Sequence, residues 1–339
     1  MRFVTRLTLA ASLVVGTIAA PARAAEPDPL LPPETEGVVY VNFKQILESD
    51  IIKKYALDAI KQGLENENAQ QMMKALGLDP LKDVDRLSIG FWSGKPSGEE
   101  SNFAGTVRGK FDPEKLFKAV EAESKKNPDR VKLIKNGKYT LIKATNEEAQ
   151  PGMPKDLFAA VADDKTIVMA SSEKVCVTQI QRTEEGTTKS ALSKAMTALI
   201  LKMDDKASMY FCGLNTIKEA PMMPPQIGQI IDDPEKFAKQ LVNIDTMAME
   251  FRLSDEFGMS MTMSMKSKDS AEEMGGMMED LIGKAKAFLP FLGSQPNMKP
   301  LVQELGKTLK AKTDKNDVVI GLKLSGKAIA AMAGRDDQE

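Results

Sequence analysis

The sequence predicts an α+β protein built of two tandem related repeats, each ordered strand-helix-strand-strand-helix-strand-helix, with mainly antiparallel sheets covered by helices. Three observations predict it. Strand-like alternating runs are joined by tight turns rather than by regular β-α-β crossovers. Helix starts stand after some of those runs. Four segments of the first half recur in the same order in the second.

The elements follow in order. Val38 to Phe43 is β-branched and aromatic and reads as a strand. Asp50 to Leu76 reads as a helix, with Ile51, Ile52, Tyr55, Ile60 and Leu64 at three-to-four spacing and Gly77 as its stop. Leu87 to Trp92 and Phe103 to Phe111 are the next strands. Asp112-Pro113-Glu114 opens a helix carrying Leu116, Phe117 and Val120, with Pro in the first turn where its missing N–H costs nothing. Asn136-Gly137 between Val131–Lys135 and Tyr139–Lys143 is a hairpin signal, because both residues tolerate the positive φ of a tight turn. Leu157–Ala162 and Thr166–Ala170 flank Asp163-Asp164 as a second hairpin, and Ser172 caps a helix through Arg182.

Gly37-Val38-Val39-Tyr40 resembles Ala207-Ser208-Met209-Tyr210, with Ile46 and Glu48 after the first and Ile217 and Glu219 after the second. Asp85-x-Leu87-x-Ile89-x-Phe91 matches Asp245-x-Met247-x-Met249-x-Phe251 without a gap. Phe103–Phe111 matches Phe257–Met265, and Thr166–Ser172 matches Val319–Ser325. The second copy lacks the Asn136-Gly137 hairpin and has a longer helical stretch from Ala271 to Lys310. The resulting organisation is a signal peptide at 1–24, a Pro-rich lead-in at 25–36, repeats at 37–183 and 184–332 with their seam near Thr183–Ser190, and a polar tail at 333–339.

The signal peptide rests on Arg2 and Arg6, an apolar stretch from Leu7 to Ala20, and Ala22-Arg23-Ala24, an A-x-A cleavage pattern. The apolar run is short for a membrane span. Cleavage after Ala24 leaves 315 of 339 residues and, with Arg2, Arg6 and Arg23 removed, takes the net charge from −2 to −5. The expected location is periplasm, cell envelope or medium. An acidic chain with dispersed lysines, such as Lys132, Lys135 and Lys138 around a hairpin, is not a sequence-independent nucleic-acid binder. Within Met274–Leu292, the charges Glu279, Asp280, Lys284 and Lys286 argue against a span.

Composition closes several chemistries. The chain has no histidine and two cysteines. A Ser-His-Asp triad, a Cys-His pair, an H-E-x-x-H zinc site and a four-thiolate metal site cannot be built within one chain. Gly321 to Lys327 fits G-x-x-x-x-G-K, but Ala328 lacks the hydroxyl that reaches magnesium, and Leu322-Lys323-Leu324 alternates like a strand. Ser325 reads instead as a helix cap equivalent to Ser172. In Leu305-Gly306-Lys307-Thr308 the first glycine is replaced by Leu301.

Methionine is abundant at 21 residues. Met259, Met261, Met263 and Met265 alternate, so their thioethers share one strand face, with Met247 and Met249 on a neighbour. Such a row fills an irregular core, lines a pliable apolar pocket or holds Cu(I), and copper sites often recruit His as well. Cys176 and Cys212 either bridge the two copies in an oxidising compartment or stay as buried thiols. Met274, Met278, Leu281, Ala285, Phe288 and Leu292 form an amphipathic stripe that covers the sheet or meets a partner helix or membrane interface. The acidic pairs Glu34/Glu36, Asp83/Asp85, Asp163/Asp164, Asp204/Asp205 and Asp232/Asp233 suit turns and caps, and catalytic carboxylates are set by spatial rather than sequence spacing. The calcium-loop pattern is absent.

Leu31-Pro32-Pro33-Glu34-Thr35 before Val38–Val41, with Gly77-Leu78-Asp79-Pro80 before the second strand, resembles the mature start of uncharacterised secreted bacterial proteins. The resemblance covers the first third of the chain and implies no activity, cofactor or catalytic residue. The expectation is therefore a non-enzymatic binding or structural protein of the cell envelope. It has no assigned catalytic, metal or cofactor residue, and its partner is an unknown envelope protein or an apolar ligand. The alternative is a carrier of an apolar ligand, lipid- or lipoprotein-like, held between a Met-rich sheet face and helices. The third is a hydrolase using carboxylates alone.

Overall fold

The computed structural model describes residues 24–67, 70, 73, 78–93, 101–147, 149, 154–221, 231–294 and 298–332. The signal peptide up to Arg23, the helix stop at Gly77 and the polar tail at 333–339 lie outside them.

Among the described residues twelve strands form one sheet: β1 Gly37–Asn42, β2 Val84–Ser93, β3 Ser101–Gly109, β4 Val131–Asn136, β5 Tyr139–Thr145, β6 Asp156–Asp163, β7 Thr166–Ala170, β8 Met209–Leu214, β9 Ile244–Leu253, β10 Glu256–Met265, β11 Lys310–Asp314 and β12 Asp317–Ser325. Their order is β11-β12-β10-β9-β8-β1-β2-β3-β7-β6-β5-β4, and each neighbouring pair is antiparallel. The α+β class holds, and the strands of the two halves join into a single sheet through β1 and β8. The matched segments fall on β1 and β8, β2 and β9, β3 and β10, and β7 and β12, which stand at equal steps from that central pair. Tyr40 and Tyr210 are register partners there, and their rings stack with centroids 4.8 Å apart.

Among the described residues ten helices accompany the sheet: α1 Phe43–Glu48, α2 Leu57–Glu65, α3 Pro80–Asp83, α4 Pro113–Lys126, α5 Glu173–Glu184, α6 Lys194–Ile200, α7 Pro234–Val242, α8 Lys268–Leu292, α9 Lys299–Thr308 and α10 Gly326–Met332. Caps explain many of their starts. Asp112, Ser172 and Ser325 each accept a backbone N–H three residues on, from Lys115, Val175 and Ala328. Asp233 caps α7 in the same way, with Pro234 following.

Two expectations change in detail. The long helix from Asp50 is interrupted: a π-type turn at Ile52–Ala56 precedes α2, which ends at Glu65, and the short α1, capped by Asn42, stands before it. The helical stretch expected to reach Lys310 ends at Thr308, and Lys310 starts β11, whose Lys-Ala-Lys-Thr alternation is too polar to announce a strand. Gly321 to Ser325 is strand and Gly306 lies inside α9, so neither glycine-lysine pattern forms a phosphate loop.

Alternation along each strand sorts side chains between two faces. One face is closed. Val38, Tyr210, Cys212 and Ala248 pack with Leu31 of the lead-in and Met196, Leu199 and Ile200 of α6. Ala104, Leu141, Ala160 and Val168 pack with Cys176 and Ile180 of α5. Asp28 ties the lead-in to the same face through Thr106 Oγ1 and Arg108.

On the opposite face the register sets one row across all twelve strands: Ala311, Ile320, Met261, Met249, Phe211 and Val39, then Ile89, Gly105, Met169, Ala159, Ile142 and Leu133. Every member is apolar or glycine. At the β10–β12 end, α8 covers this face with Met274, Met277, Met278 and Leu281 over Met247, Met263, Met265 and Val318. In the middle, Val39, Ile89, Phe91, Phe211 and Met249 are only half-buried.

Candidate functional site: an apolar trough at the sheet centre

The half-buried middle of that face borders a cavity of about 620 Å³. Its walls are Ile89, Phe91, Phe103, Phe211 and Leu214, with Gly37 and Gly213 beneath and Glu36, Ser93, Asn102 and Thr216 at the rim. The register explains the convergence. Gly37 pairs with Phe91 on one side and Gly213 on the other, and Phe91 pairs with Phe103. Glycine at 37 lets the Phe91 ring lie close over the strand, since a Cβ there would stand a tight 3.0 Å from that ring. The floor is therefore low, and the Phe91 and Phe211 rings lie across it with centroids 6.4 Å apart.

The ionisable rim group is Glu36. Its Oε2 accepts from the backbone N and the Oγ of Ser93, at 2.8 and 2.9 Å, so the carboxylate is held at the edge. The chain's single tryptophan, Trp92, borders the cavity while packing against the cluster on the closed face. The volume falls within the 300–1,000 Å³ range of small-molecule sites, and an aromatic floor with few polar groups suits an apolar guest.

A second cleft, of about 490 Å³, lies at the β10–β12 end and is lined by Arg252, Lys310, Lys312, Lys323, Asp204, Glu250 and Glu256. Its charges largely satisfy one another, Arg252 pairing with Asp204 and Lys323 with Glu256. Lys310 and Lys312 alternate on the edge strand β11, where lysines guard against edge-to-edge pairing. Burial holds the Glu250 carboxyl above its usual range.

The residues singled out by sequence have these places. Met263 and Met265 are core beneath α8, and Met261 packs against that core, whereas Met259 borders the charged cleft. The Met-rich face is thus largely closed, and the open cavity beside it is lined by phenylalanine. Cys176 and Cys212 are buried free thiols in separate clusters, and burial pushes both up to about 12. The α8 stripe covers the sheet only as far as Leu281, while Phe288 and Phe291 are 71% and 82% exposed.

The acidic residues serve turns and pairs. Asp83 accepts from Asp79 N, Asp163 from Lys165 N, and Asp204 from Lys206 N, while Asp232 pairs with Lys284. Among the described residues no helix is long and apolar enough to cross a membrane. None of them form a group of three or more His, Cys, Asp or Glu fit to hold a metal ion.

Fold and cavity together define an α+β protein with a large antiparallel sheet, one face closed by helices and the other carrying an apolar trough. No family model and no curated protein matches the chain. Solved structures of TP0453 align with it along most of their length. Crystal form I aligns at 7% identity and a TM-score of 0.47, covering 91% of this chain and 97% of that one. Crystal form III aligns at 7% and 0.46, covering 91% and 99%. Crystal form IV aligns at 9% and 0.44, covering 91% and 96%.

Proposed function

We propose that this is an exported, non-enzymatic binding protein of the cell envelope whose trough takes an uncharged hydrocarbon group, such as one acyl chain. One observation carries the reading. The sheet leaves Ile89, Phe91, Phe103 and Phe211 around an open space of about 620 Å³ while the opposite face of the same strands is sealed. Apolar surface left half-exposed costs roughly 25 cal/mol for every Å² that water still covers, so a guest that covers it recovers that free energy. The guest's polar end would lie at the rim by Glu36, Ser93, Asn102 and Thr216. The non-enzymatic part is supported by composition, since a chain without histidine lacks the usual general base. The envelope location is supported by the signal-peptide pattern ending at Ala24.

Native mass spectrometry of protein purified from its own envelope tests this. The expected result is a fraction carrying one apolar molecule of a few hundred daltons, lost when Phe91 and Phe211 are both replaced by serine. A bare chain from the wild type, with the signal sequence removed and the fold intact, contradicts the carrier reading.

A further inference from the structure

On the closed face, at the end of the sheet away from the trough, a polar pocket of about 310 Å³ is lined by Ala24, Ala25, Glu26, Tyr40, Asn42, Arg86, Asp205 and Tyr210. Two features make it specific for the start of the lead-in. Ala25 is 5% exposed, and its backbone N donates to Met203 O at 2.9 Å. Asp205 Oδ1 is buried and has no hydrogen-bond partner among the described residues. A buried carboxylate oxygen without a donor is costly, by about 1–3 kcal/mol or more for a charged group. In the uncut chain Ala25 offers this pocket a single amide N–H, already used by Met203 O.

We propose that the pocket is the seat of the processed N-terminus: the α-ammonium freed at Ala25 keeps the Met203 carbonyl and adds Oδ1 of Asp205. The inference rests on export with cleavage after Ala24. In that step a signal-cleaving protease adds water across the Ala24–Ala25 peptide bond. The C–N bond breaks, Ala24 leaves as a carboxylate carrying the water oxygen, and the Ala25 nitrogen takes both water protons to become an ammonium. That group has three donors where the amide had one, and its charge opposes Asp205. Tyr40 and Tyr210 stack above it, and Arg86 lines the same pocket, so the Asp205 carboxylate must outweigh the guanidinium's repulsion. Processing would therefore complete the fold on this face, locking the lead-in against the α6–β8 turn.

The groups that face the ammonium are Glu26, Tyr40, Arg86, Asp205 and Tyr210, with Asp204 and Glu250 behind the turn. The carboxylates favour the charged ammonium and the Arg86 guanidinium opposes it; with Asp205 prevailing, as proposed, the pKa stands above its unfolded value of about 7.7–8.0. Its stabilising contribution is thus full below that value and is lost as pH rises through the folded value.

The test uses the chain starting at Ala25 with a free amine, against the same chain acetylated at Ala25, each also carrying Asp205→Asn. At pH 6 the free-amine chain is expected to melt about 2–4 °C above the acetylated one. The gap should close in Asp205→Asn and shrink above pH 9. Equal melting of the free and acetylated chains, or a gap that persists in Asp205→Asn, overturns the proposal. Sequencing the N-terminus of the exported protein separates the two premises. Ala25 as first residue supports the cut. Another first residue overturns the seat, whatever the trough binds.

Discussion

The two faces of the sheet are made by the same strands and differ in what the alternating residues are left to do. On the closed face Val168, Ala104, Leu141 and Cys212 are fully buried under α5, α6 and the lead-in. On the other, Ile89, Phe91 and Phe211 are as apolar but stay half-buried beside the cavity. A sheet apolar on both faces usually has both covered. Here α8 covers one end of the second face and stops short of the centre. The difference teaches that apolar alternation marks which residues can be buried, and that the covering helices decide which of them remain free for a guest.

The largest expected effect comes from placing one charge on each face. Val168→Asp puts an unpaired carboxylate into a fully buried site and should cost several kcal/mol, abolishing a cooperative melt. Ile89→Asp faces the cavity and should leave the melt cooperative, losing only about 1–2 kcal/mol of apolar contact. Equal damage from both, read by circular dichroism, would erase the distinction between the faces.

Next in size is the helix that closes the Met-rich end. Gly275 of α8 lies against the Thr313 side chain of β11, leaving no room for a Cβ. Gly275→Leu should lift α8 and lower stability by about 2–4 kcal/mol in denaturant unfolding, with methionines 263 and 265 becoming oxidisable. Unchanged peroxide sensitivity would show that α8 is not the cover.

Phe91→Ala sharpens the comparison further. Truncating a fully buried phenylalanine costs about 3–5 kcal/mol. Phe91 borders open space, so about 1–2 kcal/mol is expected, together with at least tenfold weaker binding of an acyl chain. A full core-sized loss of stability would place Phe91 in the core instead.

The smallest effect is electrostatic. Burial raises the Glu250 carboxyl above its usual 4.5, so the folded state holds this proton more tightly than the unfolded chain. Stability from this group falls as pH rises from about 4.5 through the raised value. Glu250→Gln keeps an acceptor for Asp204 N, which Glu250 Oε1 now serves, and should flatten that fall. A pH profile parallel to the wild type's would contradict the assignment.

Much of the scaffold was readable in the residues because local physics specifies it. Asn136-Gly137 gave the β4–β5 hairpin, with Gly137 at φ 59°, and Asp112 and Ser172 placed the starts of α4 and α5. The methionine alternation placed one face of β10 correctly. β11 was hidden because an edge strand is paired on one side only, and Lys310 and Lys312 face a charged cleft rather than a core. The trough was hidden for another reason. Gly37, Phe91, Phe103, Phe211 and Gly213 meet only through strand register, and no local spacing links them. The available signal was glycine at 37 and 213, each ending or beginning an otherwise bulky strand near a phenylalanine.

The central claim is that the open middle of the sheet binds an acyl chain, and Trp92 reports on it because it is the only tryptophan in the chain and borders the cavity. The direct measurement is quenching of its fluorescence by a fatty acid brominated along the chain. The account predicts saturable one-to-one quenching at micromolar concentration, weakened at least tenfold by Phe91→Ser with Phe211→Ser. Linear, non-saturating quenching that is the same in the wild type and the variant would contradict it.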